Sequence, residues 1–213
     1  LEAGAHKISI PFSVRETHCQ RNVNRSHQQM FEEIERIIQL MDSVAGKRPH
    51  FEVGLSTAFG CSIEGQIAES KVVAIAEKLV ALGLSDTTGS GNPAQLRRLV
   101  KQIWEHCGRD KLNGVHLHNT RGQGLANALA AVDLGLTTID SSLGGIGGCP
   151  AAPGASGNIV TEDLVFMLEA MGLRTGIDIE QLIAVRELVQ TALPTIELYG
   201  FTANAGLPKG FKA

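Results

Sequence analysis

Short apolar segments alternate with helical patterns along most of this chain, and this alternation restricts its fold more than any other feature. The segments that read as strands lie at 6–10, 51–55, 115–118 and 137–140, with a fifth, poorly defined one near Leu84. Apolar residues at i, i+3 and i+4 fill the intervals between them, as in amphipathic helices. Strands and helices that alternate in this way form βα units on a parallel sheet.

The spacing of the predicted strands is compatible with two architectures. Their starts are separated by 22 to 45 residues, which brackets the average of about 31 per unit in a (β/α)8 barrel of about 250 residues. A doubly wound parallel sheet fits the alternation equally well. With 213 residues, the chain is long enough to bury a sizeable core.

The ends of the predicted helices follow from their capping residues. The apolar spacing predicts helices over 30–44, 70–82, 93–107, 123–134, 161–171 and 179–193. Ser26, Asn92 and Thr161 are the expected N-caps, and Gly83 the expected stop of the second helix. That stop leaves little room for a strand around Leu84. The pattern makes no prediction for the structure of residues 194–213.

Charge and cysteine usage exclude several classes of protein. Nineteen basic and 22 acidic residues give a net charge of −3, which argues against a strongly basic nucleic-acid binder. We see no apolar run of about 18 residues and no signal peptide, so we expect neither a membrane span nor export. The four cysteines form no CxxC pair, which indicates reduced thiols in a cytosol-like compartment. They are Cys19, Cys61, Cys107 and Cys149, and we expect Cys61 to be structural.

Two histidines two residues apart form the sharpest local signal. His116 and His118 lie on a predicted strand, so their side chains project from the same face. Two imidazoles at the carboxyl end of a barrel strand suit a divalent metal, although hydrogen-bonded polar residues at a strand end would show the same spacing. The other histidines have no such pairing, and we expect surface or capping positions for them. They are His6, His18, His27, His50 and His106.

The stretch 141–158 is rich in glycine and contains a cysteine. Six of its eighteen residues are glycine, and Cys149 follows Gly147 and Gly148. Glycines permit positive φ and a close approach of the backbone to a ligand, so a thiol here can act as nucleophile or proton donor. The alternative is a flexible linker with an incidental cysteine. A dinucleotide-binding fingerprint is excluded, because the third glycine is missing and Pro150 interrupts the helix start.

Two further residues have an open interpretation. Asn158 ends the glycine-rich stretch, and its amide oxygen could join the two histidines on Mg²⁺ or Mn²⁺; alone, it would be a turn residue. Asp86 would lie at the carboxyl end of a strand and could act as a base. An Asx-turn is the structural alternative for Asp86.

Three segments together resemble a known family. They are HLHNTRGQGLANALAAVDLG, TIDSSLGGIGGCPAAPGASGN and TEDLVFMLEAMG, and they are similar to the 3-hydroxy-3-methylglutaryl-CoA lyases, which are barrel metalloenzymes. The resemblance implies a (β/α)8 TIM barrel. It implies that His116, His118 and Asn158 bind Mg²⁺ or Mn²⁺, that Cys149 is catalytic on a substrate loop with Gly147 and Gly148, and that Asp86 is the acidic residue of the sixth strand.

The resemblance also implies an activity. The family cleaves 3-hydroxy-3-methylglutaryl-CoA into acetyl-CoA and acetoacetate, so the expected partner is an acyl-CoA, with no nucleic acid and no membrane. Asp86 or His116 would take the hydroxyl proton, with a preference for Asp86, and Cys149 would return a proton to the product enolate. We further expect a homo-oligomer, dimer or tetramer, in the cytoplasm or in the mitochondrial matrix of a eukaryote.

The sequence also departs from the family pattern. The segment that begins at Leu1 corresponds to the fourth strand, so an arginine and a metal-binding aspartate of the first strand are not in this chain. The sixth strand looks shortened, and Asn119 stands where an aspartate is common. We therefore predict an incomplete barrel over 1–193 followed by a tail, 194–213. The alternatives are a related condensing enzyme or aldolase acting on a 2-oxo acid, or an inactive truncated barrel.

Overall fold

A curved layer of five parallel strands forms the centre of the molecule. The computed structural model describes residues 4–44, 48–79, 81–148 and 157–211. The strands are β1 (Lys7–Ser13), β2 (His50–Ser56), β3 (Leu82–Asp86), β4 (Leu112–Leu117) and β5 (Thr138–Asp140). They pair in the order β1-β2-β3-β4-β5, each parallel to the next. Parallel strands placed side by side in chain order are the arrangement of a (β/α) barrel, which the sequence predicted.

Helices connect the strands and continue beyond the last one. They are α1 (Glu16–Val23), α2 (His27–Ser43), α3 (Glu69–Ala76), α4 (Pro93–Cys107), α5 (Gly124–Leu134), α6 (Thr161–Ala170), α7 (Ile179–Ala192) and α8 (Phe201–Ala205). Ser26 caps α2 in a capping box with Gln29, and Asn92 caps α4, as predicted. Thr161 is not the cap of α6, because Val160 holds that position and Thr161 is the first helical residue.

The two faces of the sheet differ in side-chain size. The outward face packs large apolar side chains such as Phe12, Leu55 and Leu84 against the helices, where they are fully buried. The inward face carries Gly54, Ser85 and other small or polar residues, and they line a cavity of about 360 Å³. The inward face of the sheet therefore offers small and polar groups to this cavity, in contrast to the apolar outward face.

The third strand corrects the sequence-based prediction. We expected a helix over 70–82, a helix stop at Gly83 and a shortened strand at the position of the family's sixth strand, which is β3 in this chain. Instead, α3 ends at Ala76, and β3 has five residues, all of them buried. Leu84 pairs with Leu55 on one side and Val115 on the other. Burial between two strands therefore overrides the helical spacing of the preceding segment. The fold is the predicted barrel, but β3, which corresponds to the family's sixth strand, is not shortened.

His18 is the second correction, because it lies neither at the surface nor at a cap. It is fully buried on α1, a helix that the apolar spacing did not predict, and its Nδ1 lies 2.8 Å from Oγ of Ser13. Its Nε2 has no hydrogen-bond partner among the described residues. Burial lowers the pKa of His18, because the charged imidazolium is poorly solvated inside the protein.

Three of the four cysteines lie in the described residues. Cys19, Cys61 and Cys107 form no disulfide among the described residues, and Cys61 is buried, as a structural residue would be. Their redox state stays a prediction. Within the described ranges, no helix is long and apolar enough to cross a membrane.

Part of the predicted tail is structured, since α8 packs against α6. The boundary at residue 193 stays a prediction.

Candidate metal centre

The two histidines of β4 point into the central cavity with their ring nitrogens together. His116 lies in the strand and His118 directly after it, and their Nε2 atoms are 3.2 Å apart. Both side chains line the cavity. His118 is buried, while the His116 side chain is about one-third exposed. Two imidazole nitrogens that converge in this way can chelate one cation.

A carboxylate supports the first histidine. Oδ2 of Asp140 lies 3.5 Å from Nδ1 of His116, and the two residues are register partners in β5 and β4. The hydrogen bond from His116 lowers the pKa of Asp140. A carboxylate on the second ring nitrogen orients a ligating histidine and fixes its tautomer. The sequence did not identify Asp140, although its place at the end of β5, beside β4, was a usable signal.

Asn158 is brought next to this pair by the backbone. It forms an isolated antiparallel bridge with His118. Its Nδ2 donates a hydrogen bond of 2.9 Å to the carbonyl oxygen of Ile146, whereas its Oδ1 is buried and has no partner among the described residues. A buried amide oxygen without a hydrogen bond is unfavourable. The donor set, two imidazole nitrogens and this oxygen, fits a divalent cation.

The site differs in composition from metal centres rich in acidic residues or cysteine. In the described ranges no group of three or more His, Cys, Asp and Glu side chains is placed to hold a metal. Within these ranges, the amide oxygen of Asn158 is the candidate third donor beside the histidine pair.

A glycine turn lies against Asn158. The turn is a short 3₁₀ segment, Leu143–Gly145, followed by Ile146, Gly147 and Gly148. Gly147 has φ 113°, and a Cβ atom there would lie 2.7 Å from Nδ2 of Asn158. This position needs glycine both for its backbone conformation and for contact with the amide. Gly147 also lines the cavity, whereas Cys149 lies outside the described residues.

Asp86 is separated from the histidines by the sheet. Its register partner in β4 is Leu117, which belongs to the outward face, and the described residues that line the cavity do not include Asp86. Its two oxygens accept hydrogen bonds from the backbone N–H groups of Ser90 and Gly91. Burial raises the pKa of Asp86 despite these bonds. These bonds reach residues four and five positions further on, rather than the two of an Asx-turn. The role of Asp86 as a base stays a prediction.

Asn119, the departure from the family pattern, also has a local partner. Its Oδ1 accepts a hydrogen bond of 3.0 Å from the backbone N–H of Gly124, the first residue of α5. Its own backbone N–H donates to the carbonyl oxygen of Gly157. Asn119 thus ties the start of α5 to the segment that carries Asn158. An asparagine oxygen accepts such a bond as an aspartate would.

A larger depression, of about 690 Å³, lies on the loops that follow β2, β3 and β4. Cys61, Arg98 and Arg121 are among its lining residues, and none of the predicted catalytic or metal-binding residues contributes to it. Arg98 is paired with Glu69, and Arg121 donates to the carbonyl oxygens of Thr88 and Gly89. The two arginines therefore connect neighbouring elements, whereas the predicted metal-binding histidines line the smaller cavity.

Parallel strands in barrel order, with a polar site where they end, define the class as a TIM-barrel βα protein. The HMGL-like family model matches residues 1–189. The chain belongs to this family.

Named relatives agree with the family model. The chain is 35% identical over 91% of its length to the mitochondrial hydroxymethylglutaryl-CoA lyase of Mus musculus, and it spans about 60% of the length of that relative. It is 34% identical to the Bacillus subtilis hydroxymethylglutaryl-CoA lyase, covering 96% of this chain and 70% of the relative. A solved HMG-CoA lyase from Acinetobacter baumannii, in complex with coenzyme A and 3-methylmalate, has a TM-score of 0.87 and 37% identity. That match covers all of this chain and 69% of the other.

Proposed function

We propose that the chain carries the metal-binding part of the active site of a lyase that cleaves 3-hydroxy-3-methylglutaryl-CoA into acetyl-CoA and acetoacetate. One observation carries the proposal: the Nε2 atoms of His116 and His118 lie 3.2 Å apart. Asn158 lies beside them, and its buried Oδ1 has no partner among the described residues. The relatives named above are hydroxymethylglutaryl-CoA lyases. Their activity is the one that this site is best suited to perform.

His116, His118 and Asn158 would hold Mg²⁺ or Mn²⁺. Imidazole nitrogen and amide oxygen are both accepted by these cations. When bound, such an ion makes a substrate hydroxyl more acidic and orients its oxygens. Asp140 keeps the His116 ring in the orientation in which Nε2 faces the cavity, because its carboxylate lies against Nδ1.

The reaction needs a base and then an acid. Loss of the hydroxyl proton lets the neighbouring carbon–carbon bond break, which forms the ketone of acetoacetate and the enolate of acetyl-CoA. Of the two predicted bases, His116 lies in the cavity and Asp86 lies on the opposite face of the sheet. With Nε2 toward the ion and Nδ1 donating to Asp140, His116 has no free lone pair, so the placement of the two residues does not assign the proton to either predicted base.

Cys149 would supply the proton that turns the enolate into acetyl-CoA. It follows Gly147 and Gly148 directly in the chain, and Gly147 lines the cavity. The family resemblance places the catalytic thiol on this glycine-rich stretch, and a thiol can act there as a proton donor. The role separates this proposal from the condensing-enzyme or aldolase alternative, which has no need of Cys149.

The substrate would be an acyl-CoA, since the Acinetobacter baumannii relative was solved in complex with coenzyme A. The small inward-facing residues Gly54, Ser85 and Gly114 leave the cavity open beneath the histidines. This space suits a branched, polar acyl group rather than a bulky apolar one. The homo-oligomer and the cytoplasmic or mitochondrial location stay predictions.

Turnover of 3-hydroxy-3-methylglutaryl-CoA, followed as acetoacetate with Mg²⁺ or Mn²⁺, tests the proposal. We expect His118→Gln and Cys149→Ala each to lower kcat by at least about a hundredfold. The controls are His106→Gln, a half-exposed histidine, and Cys107→Ala, a thiol on α4; both should keep the parent rate. Full turnover by His118→Gln would overturn the metal site, and full turnover by Cys149→Ala would overturn the role given to Cys149.

A further inference from the structure

Residues 198–202, here named the C-terminal strap, hold the glycine turn in place. The backbone N–H of Tyr199 donates a hydrogen bond of 2.8 Å to the carbonyl oxygen of Gly144. The strap itself is anchored to α6, because Asp163 accepts hydrogen bonds from the backbone N–H groups of Phe201 and Thr202. The strap, for which the sequence pattern makes no prediction, thus contacts the turn that leads to the candidate metal centre.

Arg186 of α7 connects the strap to a buried carboxylate. Its Nη1 donates to Oε1 of Glu162 at 2.9 Å and to the carbonyl oxygen of Tyr199 at 2.6 Å. Its Nη2 donates to the carbonyl oxygen of Leu198 at 2.9 Å. The guanidinium fork therefore satisfies three acceptors on two separate segments, which a lysine cannot do in this planar arrangement.

Glu162 carries the connection to the turn. Its side chain is fully buried, and Oε2 accepts a hydrogen bond of 3.1 Å from the backbone N–H of Gly144. Gly144 is therefore held on both sides, through its N–H by Glu162 and through its carbonyl by Tyr199. A Cβ atom at Gly144 would lie 2.9 Å from the Leu198 side chain, so the strap and the turn are in close contact.

The turn transmits this restraint to Asn158. The backbone N–H of Ile146 donates to the carbonyl oxygen of Leu143, which closes the turn around Gly144. The carbonyl oxygen of Ile146 then accepts the hydrogen bond from Nδ2 of Asn158. The orientation of the Asn158 amide thus depends on where Ile146 is held. An amide turned by 180° would present its NH₂ group, which repels a cation.

We propose that Arg186 is a positioning residue: by joining the strap to Glu162 it fixes the glycine turn and so keeps the Oδ1 of Asn158 available as a metal ligand. The inference rests on the proposed metal site. It adds a residue that touches neither metal nor substrate, and it assigns a functional role to the C-terminal strap. Outer contacts of this kind typically change metal affinity by about 10–100-fold.

The test compares the parent chain with four variants of it. Arg186→Gln removes the fork but leaves Glu162 buried without its cation, which can prevent folding. The double variant Glu162→Gln/Arg186→Met removes both charges and keeps an oxygen for the Gly144 N–H. Arg186→Lys is the conservative variant. The matched control is Arg97→Gln, which breaks an exposed ion pair with Asp133 on α5.

Two measurements are made on each folded form: Mn²⁺ affinity by electron paramagnetic resonance, and exchange of the Asn158 side-chain amide protons by NMR. We expect about tenfold weaker Mn²⁺ binding and faster amide exchange in the double variant, an intermediate effect in Arg186→Lys, and none in Arg97→Gln. Unchanged affinity and exchange in the double variant would overturn the inference.

The two measurements also separate this inference from the proposed function. If the parent chain binds no Mn²⁺, the metal site is what fails. The amide exchange of Asn158 then still decides whether Arg186 positions it. Faster exchange in the double variant supports the positioning role, and exchange equal to that of the parent chain contradicts it.

Discussion

The side-chain amide of Asn158 donates a hydrogen bond of 2.9 Å to the carbonyl oxygen of Ile146, and this bond determines which end of the amide is free. Because Nδ2 is occupied, Oδ1 is the atom left buried without a partner. A buried oxygen that the protein does not satisfy is expected to bind a ligand or a cation. The predictions below follow from this arrangement and from the elements that support it.

Asn158→Ala removes the oxygen and should weaken Mn²⁺ binding by at least about tenfold, because one of three protein donors is lost. Equilibrium titration followed by electron paramagnetic resonance measures the change. Asn113→Ala is the matched control, since Asn113 is an exposed residue of β4. Equal affinity in the two variants would mean that Asn158 is only a turn residue.

Gly147→Ala places a methyl group 2.7 Å from Nδ2 of Asn158 and forces alanine into φ 113°. We expect Mn²⁺ binding to weaken by about tenfold, because the amide must move. Gly176→Ala is the control for backbone strain alone: it has φ 74° and nothing within 4 Å of the added atom. That variant should lose about 1 kcal/mol of stability and no metal affinity. A comparable loss of affinity in both variants would argue against the contact with Asn158.

Asp86→Asn should destabilise the fold by about 1–3 kcal/mol, because an NH₂ group would face one of the two backbone N–H donors, Ser90 or Gly91. Metal affinity should stay the same, since Asp86 lies on the outward face of β3. Urea denaturation and Mn²⁺ titration check the two parts. Asp133→Asn, at an exposed carboxylate, is the control. A stable Asp86→Asn variant with greatly reduced turnover would instead support Asp86 as the base.

The buried His18 predicts a loss of stability in acid. Burial lowers its pKa in the folded state, so below about pH 6.5, the ordinary value for histidine, the unfolded chain binds a proton that the folded chain does not. The free energy of unfolding is therefore unaffected by His18 above that pH. Below it, the free energy of unfolding falls by up to about 1.4 kcal/mol per pH unit until the pH reaches the folded pKa.

Urea denaturation between pH 8 and 5 would measure this slope in the parent chain and in His18→Asn, which keeps a partner for Oγ of Ser13 but does not titrate. We expect the free energy of unfolding to depend less on pH in the variant, by a slope equivalent to the uptake of up to one proton on unfolding. His106→Gln, at a half-exposed histidine, should keep the parent slope. Identical slopes in His18→Asn and the parent would show that His18 does not titrate differently on folding.

The sequence predicted those parts of the structure that depend on local pattern. The alternation of strands and helices predicted βα units on a parallel sheet, and the family resemblance selected the barrel. The period of two in a strand placed His116 beside His118. Ser26 and Asn92 were identified as caps because their signals lie within four residues. These features need no knowledge of distant contacts.

The parts that were missed depend on contacts between distant residues. Only a shortened, poorly defined strand was predicted near Leu84, and the start of β3 was assigned to the preceding helix, because the burial of Leu84 between β2 and β4 is not visible in its own neighbourhood. Arg186 and Glu162 are 24 positions apart, and Asp140 becomes relevant only through its register with His116. Likewise, the side of the sheet on which Asp86 lies follows from pairing, not from its sequence context.

Electron spin-echo spectroscopy of Mn²⁺ bound to the protein tests most directly whether His116 and His118 bind a single cation. The account predicts magnetic coupling to two imidazole nitrogens in the parent chain, to one in His116→Gln or His118→Gln, and to two in the control His106→Gln. A bound Mn²⁺ without imidazole coupling, or with coupling that survives both substitutions, would contradict it.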